Sequence, residues 1–255
     1  MIHVEPSLMV FQVALGTEAY WQGDSTSSGL LGLAYEALTS AFDGTDPADD
    51  SQQDAYSPLF QTMVSQGLSS SSFSLALERG TGGYIAFGGL PPVSGVSSSN
   101  LVSTPIQYLS SFSSDEYTFY AISASLNYGS SKTAATQYIV DSGTTLLYAP
   151  SAVAKALNKA FKPSAKYESD QGAYFVECTA TPPAVSVTIA GTSFTINPAD
   201  LIYQGVVDQN TGLCLTGVQD GGQGPYILGD VFLQNVVAVF DVGNSEMRFA
   251  AHENY

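Results

Sequence analysis

The sequence predicts an all-β fold with few, short helices. Short runs rich in Val, Ile, Tyr, Phe and Thr recur along the chain, and clusters of Gly, Ser and Asn separate them, as expected for strands joined by turns. With 255 residues, of which 44% are apolar, the chain can bury a sizeable core as one large or two small domains. The predicted strands include residues 8–15, 83–87, 117–122, 185–189 and 236–240.

Two segments have the apolar spacing of amphipathic helices. The first covers residues 151–161, and Ser151 is its predicted N-terminal cap. The second covers residues 58–66, with Leu59 and Met63 on its inward face. Helices therefore make up a small part of the predicted structure.

The charge balance narrows the possible partners. The chain has 23 acidic residues against 7 lysines and arginines, and charged residues make up only 12% of it. An acidic surface repels nucleic acid and anionic membranes, so neither is an expected partner. Protonation of the carboxylates would leave only the 7 basic residues and 2 histidines charged, which produces little self-repulsion. We therefore expect tolerance of low pH, although an acidic surface kept for solubility alone explains the same composition.

Cys178 and Cys214 are the two cysteines of the chain. Two cysteines are too few for a metal cluster, and these are not spaced as Cys-x-x-Cys. A disulfide is therefore favoured over two free buried thiols, and it would stabilise the fold by about 3–4 kcal/mol. Such a bond would imply an oxidising compartment.

The most informative local pattern is the run Asp-Ser-Gly-Thr-Thr at residues 141–145, which lies between the apolar runs 138–140 and 146–148. A carboxylate on a tight Gly turn, with hydroxyl groups beside it and buried flanks, is held in a fixed, hydrogen-bonded position. The pattern indicates catalysis by a carboxylate, and a turn-capping Asp is the structural alternative. Such chemistry normally needs two carboxylates, and the sequence contains one such run.

Other chemistries have less support in the sequence. A Ser-His-Asp triad would need His3 or His252, but both lie near a terminus without a Gly-x-Ser-x-Gly sequence, and both are expected on the surface. The acidic segment 43–54 lacks the spacing of a calcium-binding loop and is a predicted solvated loop. The sequence has no zinc pattern and no phosphate-binding Gly loop, so no metal and no cofactor are expected.

Several short sequence runs, in their order along the chain, resemble those of the pepsin-like aspartic endopeptidases, most closely the secreted fungal type. In that family each of two β lobes supplies an Asp-Thr/Ser-Gly-Thr/Ser turn and, later, an apolar-apolar-Gly strand that crosses beneath it. Residues 29–33 and 226–230 both place two aliphatic side chains before a Gly, as that strand does. The runs that carry the resemblance are 29–37, 73–77, 88–93, 138–150, Cys178 with Cys214, 227–232 and 239–243.

The resemblance implies a bilobal, pepsin-like fold whose N-terminal lobe is incomplete. Residues 1–105 resemble the second half of the N-terminal lobe, and residues 106–255 resemble a complete C-terminal lobe. Asp141 and Gly229 are 88 residues apart, and the same spacing counted back from Gly32 places a partner Asp about 56 positions before the first residue. We therefore expect the sequence to lack roughly the first third of a two-lobed protease, including the flap that covers the substrate.

The resemblance also implies a mechanism. Two carboxylates a few ångströms apart share one proton, and the ionised one takes a proton from the water that attacks the peptide carbonyl. Asp141 would be one of this pair. Ser142 would brace the turn against the other lobe, and the Gly143 amide and the Thr144 hydroxyl would hydrogen-bond the carboxylate. The residues that match cleft-lining positions of the family are Ile139, Thr145, Tyr117 and Leu30.

The same resemblance implies polypeptide substrates with large apolar residues at the cleavage site, a monomer, and an extracellular or vacuolar location. Residues 1–15 make a poor signal peptide, so none is expected within this sequence. Two alternatives stay open. One is a non-catalytic relative that binds a protein or peptide in its half-cleft, and the other is a homodimer that pairs two copies of Asp141.

Overall fold

The computed structural model describes residues 31–39, 51–52, 54–80, 82–110 and 116–252. The prediction of an all-β fold with few, short helices is confirmed across these residues. The predictions for residues 8–15, for Leu30, for His3 and for most of the segment 43–54 lie outside them.

The described strands are β1 Ser72–Leu77, β2 Gly83–Phe87, β3 Val102–Pro105, β4 Ala121–Tyr128, β5 Ser131–Lys132, β6 Thr136–Val140, β7 Leu147–Ala149, β8 Lys166–Glu168, β9 Ala173–Val176, β10 Val185–Ile189, β11 Thr192–Ile196, β12 Ile202–Val207, β13 Cys214–Thr216, β14 Val218–Asp220, β15 Tyr226–Leu228, β16 Val236–Asp241 and β17 Glu246–Ala251. The described helices are α1 Leu59–Ser65, α2 Ser151–Lys159 and α3 Asp230–Leu233, with 3₁₀ helices at Glu36–Leu38, Pro198–Leu201 and Val242–Asn244.

The chain divides into two compact units. The first comprises Met1–Ser69 with Glu116–Thr118, and the second comprises Ser70–Asp115 with Phe119–Tyr255. The boundary of the two lobes at residue 105, expected from the resemblance, stays a prediction.

The described part of the first unit is built around α1 and the ring of Tyr35. The Tyr35 ring stacks on that of Tyr117, with centroids 5.3 Å apart. The side chain of Gln61, on α1, donates a hydrogen bond to the Ala34 carbonyl at 3.2 Å, and Phe60 is fully buried. These contacts hold α1 against the segment that precedes it.

The second unit contains three sheets. In the five-stranded sheet the strand order is β2-β1-β16-β17-β3, with antiparallel pairing throughout. All six residues of β16, the central strand, are buried, which explains its continuous run of Val, Ala and Phe. The Phe73 and Phe240 rings stack at 4.5 Å across the β1–β16 pair, and Tyr120 packs edge-on against both. A four-stranded sheet has the order β12-β13-β9-β8.

The largest sheet carries the Asp-Ser-Gly-Thr-Thr run. Its strand order is β11-β10-β4-β6-β15-β7-β14, and β5 pairs with β4. At one edge β10 and β11 form a hairpin through Ala190 and Gly191, which both have positive φ, 47° and 85°. Such a two-residue turn matches the twist of the strands it joins. Near the centre, β6 and β15 run parallel, with Val140 opposite Leu228.

Both predicted helices are present, but their details differ from the prediction. The hydroxyl of Ser151 does not cap α2, because it donates to a carboxylate oxygen of Asp220 at 2.7 Å. In α1 the buried residue is Phe60 and not Leu59 or Met63. The sequence was ambiguous there. It has two apolar pairs in this segment, the members of each pair are four residues apart, and either pair could have formed the inward face.

Two further predictions were wrong in detail. The strand predicted over residues 117–122 begins only at Ala121, because a local hydrogen bond from the Ala121 amide to the Phe119 carbonyl turns the chain just before it. His252 is buried and not on the surface, with 3% of its area exposed. Its amide donates to the Asn235 carbonyl at 3.0 Å, which draws the end of β17 into the protein.

The predicted disulfide is confirmed. Cys178 and Cys214 are bonded across 36 positions, with Cα atoms 5.0 Å apart. Because Cys214 lies opposite Val176 in the β9–β13 pair, the bond reinforces a contact that the sheet already makes.

Candidate functional site

The Asp-Ser-Gly-Thr-Thr run forms a tight turn at the end of β6. The parallel strands β6 and β15 end side by side, and the Asp141 amide donates to the Leu228 carbonyl at 3.2 Å. The chain then turns, with the Thr144 amide 3.4 Å from the Asp141 carbonyl. Asp141 is half-buried and Gly143 is exposed, so the carboxylate lies at the edge of the core.

Two donors from the same turn hold the Asp141 carboxylate. The Gly143 amide donates to Oδ1 at 2.9 Å, and the Thr144 hydroxyl donates to Oδ2 at 2.6 Å. A Cβ atom on Gly143 would lie 3.2 Å from Oδ1, so a larger residue would press on the carboxylate. Both bonds match those expected from the sequence, whereas the catalytic role of Asp141 stays a prediction.

A second layer of backbone contacts holds the turn from behind. The Asp230 amide donates to the Thr144 carbonyl at 2.8 Å, and the Val231 amide donates to the Thr145 carbonyl at 3.1 Å. Gly229 lies so close that a Cβ atom there would be 2.2 Å from the Thr144 oxygen. The amides at the start of α3 therefore hold the backbone carbonyls of Thr144 and Thr145, next to the Thr144 hydroxyl that binds the Asp141 carboxylate.

Asp230 is a second acid near Asp141 that the sequence analysis missed. Its Oδ1 atom is buried, and none of the described residues forms a hydrogen bond with that atom. Burial, together with the negative charge of Asp141, raises the pKa of Asp230 to about 7. The sequence shows that each acid follows a short apolar run, but not that the two runs pair as neighbouring parallel strands, which is what places both acids at the same sheet edge.

The raised pKa predicts how stability changes with pH. Because the folded state binds the Asp230 proton more tightly than the unfolded chain does, the free energy of unfolding should fall as the pH rises from about 4 to about 7. We expect a loss of about 2 kcal/mol, since the carboxyl group still reaches solvent in part. Thermal melts between pH 4 and pH 8 measure this loss.

The variant Asp230→Asn should remove most of that pH dependence. Asp170→Asn is the matched control, because Asp170 is an exposed acid of the same unit and should leave the wild-type slope in place. An unchanged slope in Asp230→Asn would show that another group titrates in this range.

The predicted cleft residues fall in different surroundings. Ile139 is 4% exposed and belongs to a buried apolar cluster with Leu109 and Ala121, against which Phe119 and Ile227 pack. Thr145 and Ser142 are exposed beside the carboxylate. Tyr117 belongs to the other compact unit, where its ring meets Tyr35. Their roles in binding substrate, like the bracing role of Ser142, stay predictions.

Across the described part of the chain, no group of three or more His, Cys, Asp or Glu side chains is arranged to hold a metal ion. Among the same residues, none of the helices has the length and apolar character needed to span a membrane.

Comparison with known proteins identifies the family. The family model described as eukaryotic aspartyl protease matches residues 6–252. A protein of Aspergillus fumigatus named "Probable aspartic-type endopeptidase" is 45% identical over 250 residues, which cover 91% of this chain and 55% of that protein. The acid protease of Saccharomycopsis fibuligera is 30% identical over 245 residues, 89% of this chain and 58% of that protein. The chain thus spans about half the length of the curated relatives it matches.

The fold has a match among solved structures. The crystal structure of the aspartic proteinase from Irpex lacteus superposes with a TM-score of 0.67 at 23% identity, covering 88% of this chain and 68% of that one. At this identity the match establishes the fold, which is the pepsin-like fold that the resemblance implied. Given the family model, the two relatives and this fold, the chain belongs to the eukaryotic aspartyl protease family.

Proposed function

We propose that this chain supplies Asp141 as one of the two catalytic carboxylates of an aspartic endopeptidase that hydrolyses peptide bonds at acidic pH. The observation that carries the proposal is the hydrogen bonding of Asp141. Two donors, the Gly143 amide and the Thr144 hydroxyl, orient both carboxylate oxygens on an accessible turn. A carboxylate held in this way keeps one geometry during the reaction, as a group that transfers protons must.

In this mechanism Asp141 shares one proton with a second carboxylate, because two such groups a few ångströms apart do not both ionise. The ionised member takes a proton from water, and the water oxygen attacks the peptide carbonyl. The protonated member stabilises the oxyanion and then assists departure of the amine.

The substrates we propose are extended polypeptides with large apolar residues at the cleavage site. Ile139, on β6 just before the Asp141 turn, belongs to an apolar cluster with Leu109 and Ala121, and this cluster supports the proposed preference. We further propose an extracellular or vacuolar location for a monomeric enzyme. The Cys178–Cys214 disulfide supports that location, because such bonds persist in oxidising compartments.

The test compares Asp141→Asn with wild type in the product of the complete transcript that carries this sequence. The substrate is a quenched fluorescent peptide with two adjacent large apolar residues, assayed between pH 3 and pH 6. We expect cleavage by the wild type and a loss of about 10²–10⁴-fold in kcat for Asp141→Asn, because the acid–base group is removed while its shape is kept. Asp170→Asn, at an exposed position, should retain the wild-type rate.

The alternatives give different results in the same assay. A non-catalytic relative would bind the peptide without cleaving it, in wild type and Asp141→Asn alike. A homodimer would sediment at twice the monomer mass, and its specific activity would rise with protein concentration. Either result, or wild-type cleavage that survives in Asp141→Asn, overturns the proposal.

A further inference from the structure

The support behind the Asp141 turn depends on a single helical turn. α3 has only four residues, Asp230–Leu233, and its amides hold the Thr144 and Thr145 carbonyls. A helix this short has little stability of its own, because most of its backbone groups lack partners within the helix. Its position must therefore be set by contacts from elsewhere in the fold.

Asn235 makes those contacts at the end of α3. Its side-chain Nδ2 donates to the Val231 carbonyl at 2.9 Å, and its amide donates to the Phe232 carbonyl at 3.0 Å. Asn235 is 3% exposed, and its own carbonyl accepts the His252 amide. Asn235 thus binds α3 through both its backbone amide and its side chain, and the residue itself is buried.

The Asn235 side chain is in turn tied to the 3₁₀ helix Pro198–Leu201. Its Oδ1 accepts the Asn197 amide at 2.8 Å, and its Nδ2 also donates to Oδ2 of Asp200 at 2.9 Å. Arg79, between β1 and β2, binds both carboxylate oxygens of Asp200, with Nε 2.5 Å from Oδ1. The Asp200 side chain is only 5% exposed, so the ion pair lies mostly out of solvent.

We infer that Asn235, oriented by Asp200 and Arg79, is a positioning residue that holds α3 in register with the catalytic turn. The inference rests on the proposed function of Asp141. Side chains from three distant parts of the sequence form a chain of contacts that ends on α3: Arg79 binds Asp200, Asp200 binds Asn235, and Asn235 binds the helix. Because a displacement of α3 would move the Thr144 and Thr145 carbonyls directly, the network should affect the geometry of the Asp141 carboxylate more than other buried polar groups do.

The chain offers a matched control in Asn158. This residue is also a fully buried Asn, and its Nδ2 also donates two hydrogen bonds, in this case to the carbonyls of Ala154 and Val218 at 2.9 Å and 2.8 Å. Its contacts involve α2 and β14, and not α3. Both variants should lower the melting temperature, and Asn235→Ala should lower it more, because it removes three side-chain hydrogen bonds, one of them to a carboxylate, whereas Asn158→Ala removes two.

The decisive measurement is hydrogen exchange of the Asp230 and Val231 amides. We expect Asn235→Ala to speed their exchange about tenfold or more relative to Asn158→Ala, because these two amides report local opening of α3 from the turn. Equal exchange in the two variants overturns the inference. If Asn235→Ala does not fold, Asp200→Asn, which keeps the shape but removes the charge that Arg79 binds, should speed the same two amides.

A second readout separates this inference from the proposed function. In the cleavage assay, Asn235→Ala should lower kcat about tenfold and leave KM within about twofold, because it disturbs the catalytic turn and not the substrate contacts. Asn158→Ala should leave both parameters near the wild-type values. If the wild type proves inactive, the proposed function fails, but the exchange of the two amides still tests the coupling of Asn235 to the turn. If the exchange responds and kcat does not, the network is structural only.

Discussion

Replacing Gly229 by alanine should destabilise the protein by more than about 4 kcal/mol, the range reached only by severe overpacking or buried-group defects. The φ of Gly229 is −87°, which any residue can adopt, so the requirement for glycine is one of space. A Cβ atom there would lie 2.2 Å from the Thr144 oxygen and 2.4 Å from the Leu146 oxygen. Both are backbone atoms of the segment that holds Asp141, and neither can move without shifting the turn.

Chemical denaturation followed by circular dichroism measures this change. Gly89→Ala is the control, because no atom lies within 4 Å of the Cβ position at Gly89, and its effect should stay below about 1 kcal/mol. If Gly229→Ala unfolds at the same denaturant concentration as Gly89→Ala, the contact between α3 and the catalytic turn is looser than described. A folded Gly229→Ala protein should still lose peptide cleavage, because its Asp141 turn is displaced.

Replacing Arg79 by methionine should cost about 3 kcal/mol of unfolding free energy. Methionine keeps most of the length of the side chain, but among the described residues it leaves the buried Asp200 carboxylate with the Asn235 amide group as its remaining partner. Uncompensated buried charge is the main cost, since Asp200 is 5% exposed while Arg79 is 28% exposed. Urea unfolding at pH 6 measures the change.

A double variant tests this explanation. Arg79→Met combined with Asp200→Leu removes both charges, and it should recover at least half of the lost stability, because no charge then stays buried. Lys159→Met removes an exposed positive charge at the end of α2 and should change stability by less than about 0.5 kcal/mol. If the single and double variants are equally unstable, the loss comes from packing of the Arg79 stem and not from the charge of Asp200.

The elements that could be predicted from the sequence are those with strong local patterns. The strand at residues 185–189 was predicted with its observed bounds, because alternation of Val and Ile with hydroxyl residues specifies one buried face. The hydrogen bonds within the Asp141 turn could also be anticipated, since donor and acceptor are at most three residues apart. The disulfide followed from the presence of a single pair of cysteines.

Predictions that needed the direction of a side chain were less successful. The inward residue of α1 is Phe60, which local periodicity could not select from the overlapping apolar pairs. Ser151 has the chemistry of a helix cap, but the carboxylate of Asp220, 69 residues away, takes its hydroxyl instead. His252, polar and near the end of the chain, is buried because β17 pairs along its whole length with β16.

By itself, the sequence determined the β-rich fold class, the paired cysteines and the identity of the carboxylate that the family resemblance marks for catalysis. These depend on composition, periodicity and short motifs, which are local properties. Only the tertiary structure revealed that Asp230 lies close enough to Asp141 for their charges to interact, and that Arg79, Asp200 and Asn235 form a chain of contacts that ends on α3. The first relation arises because β6 and β15, whose paired residues are 88 positions apart, lie side by side, and the second joins residues that are 35 and 121 positions apart. No local pattern in the sequence records either set of contacts.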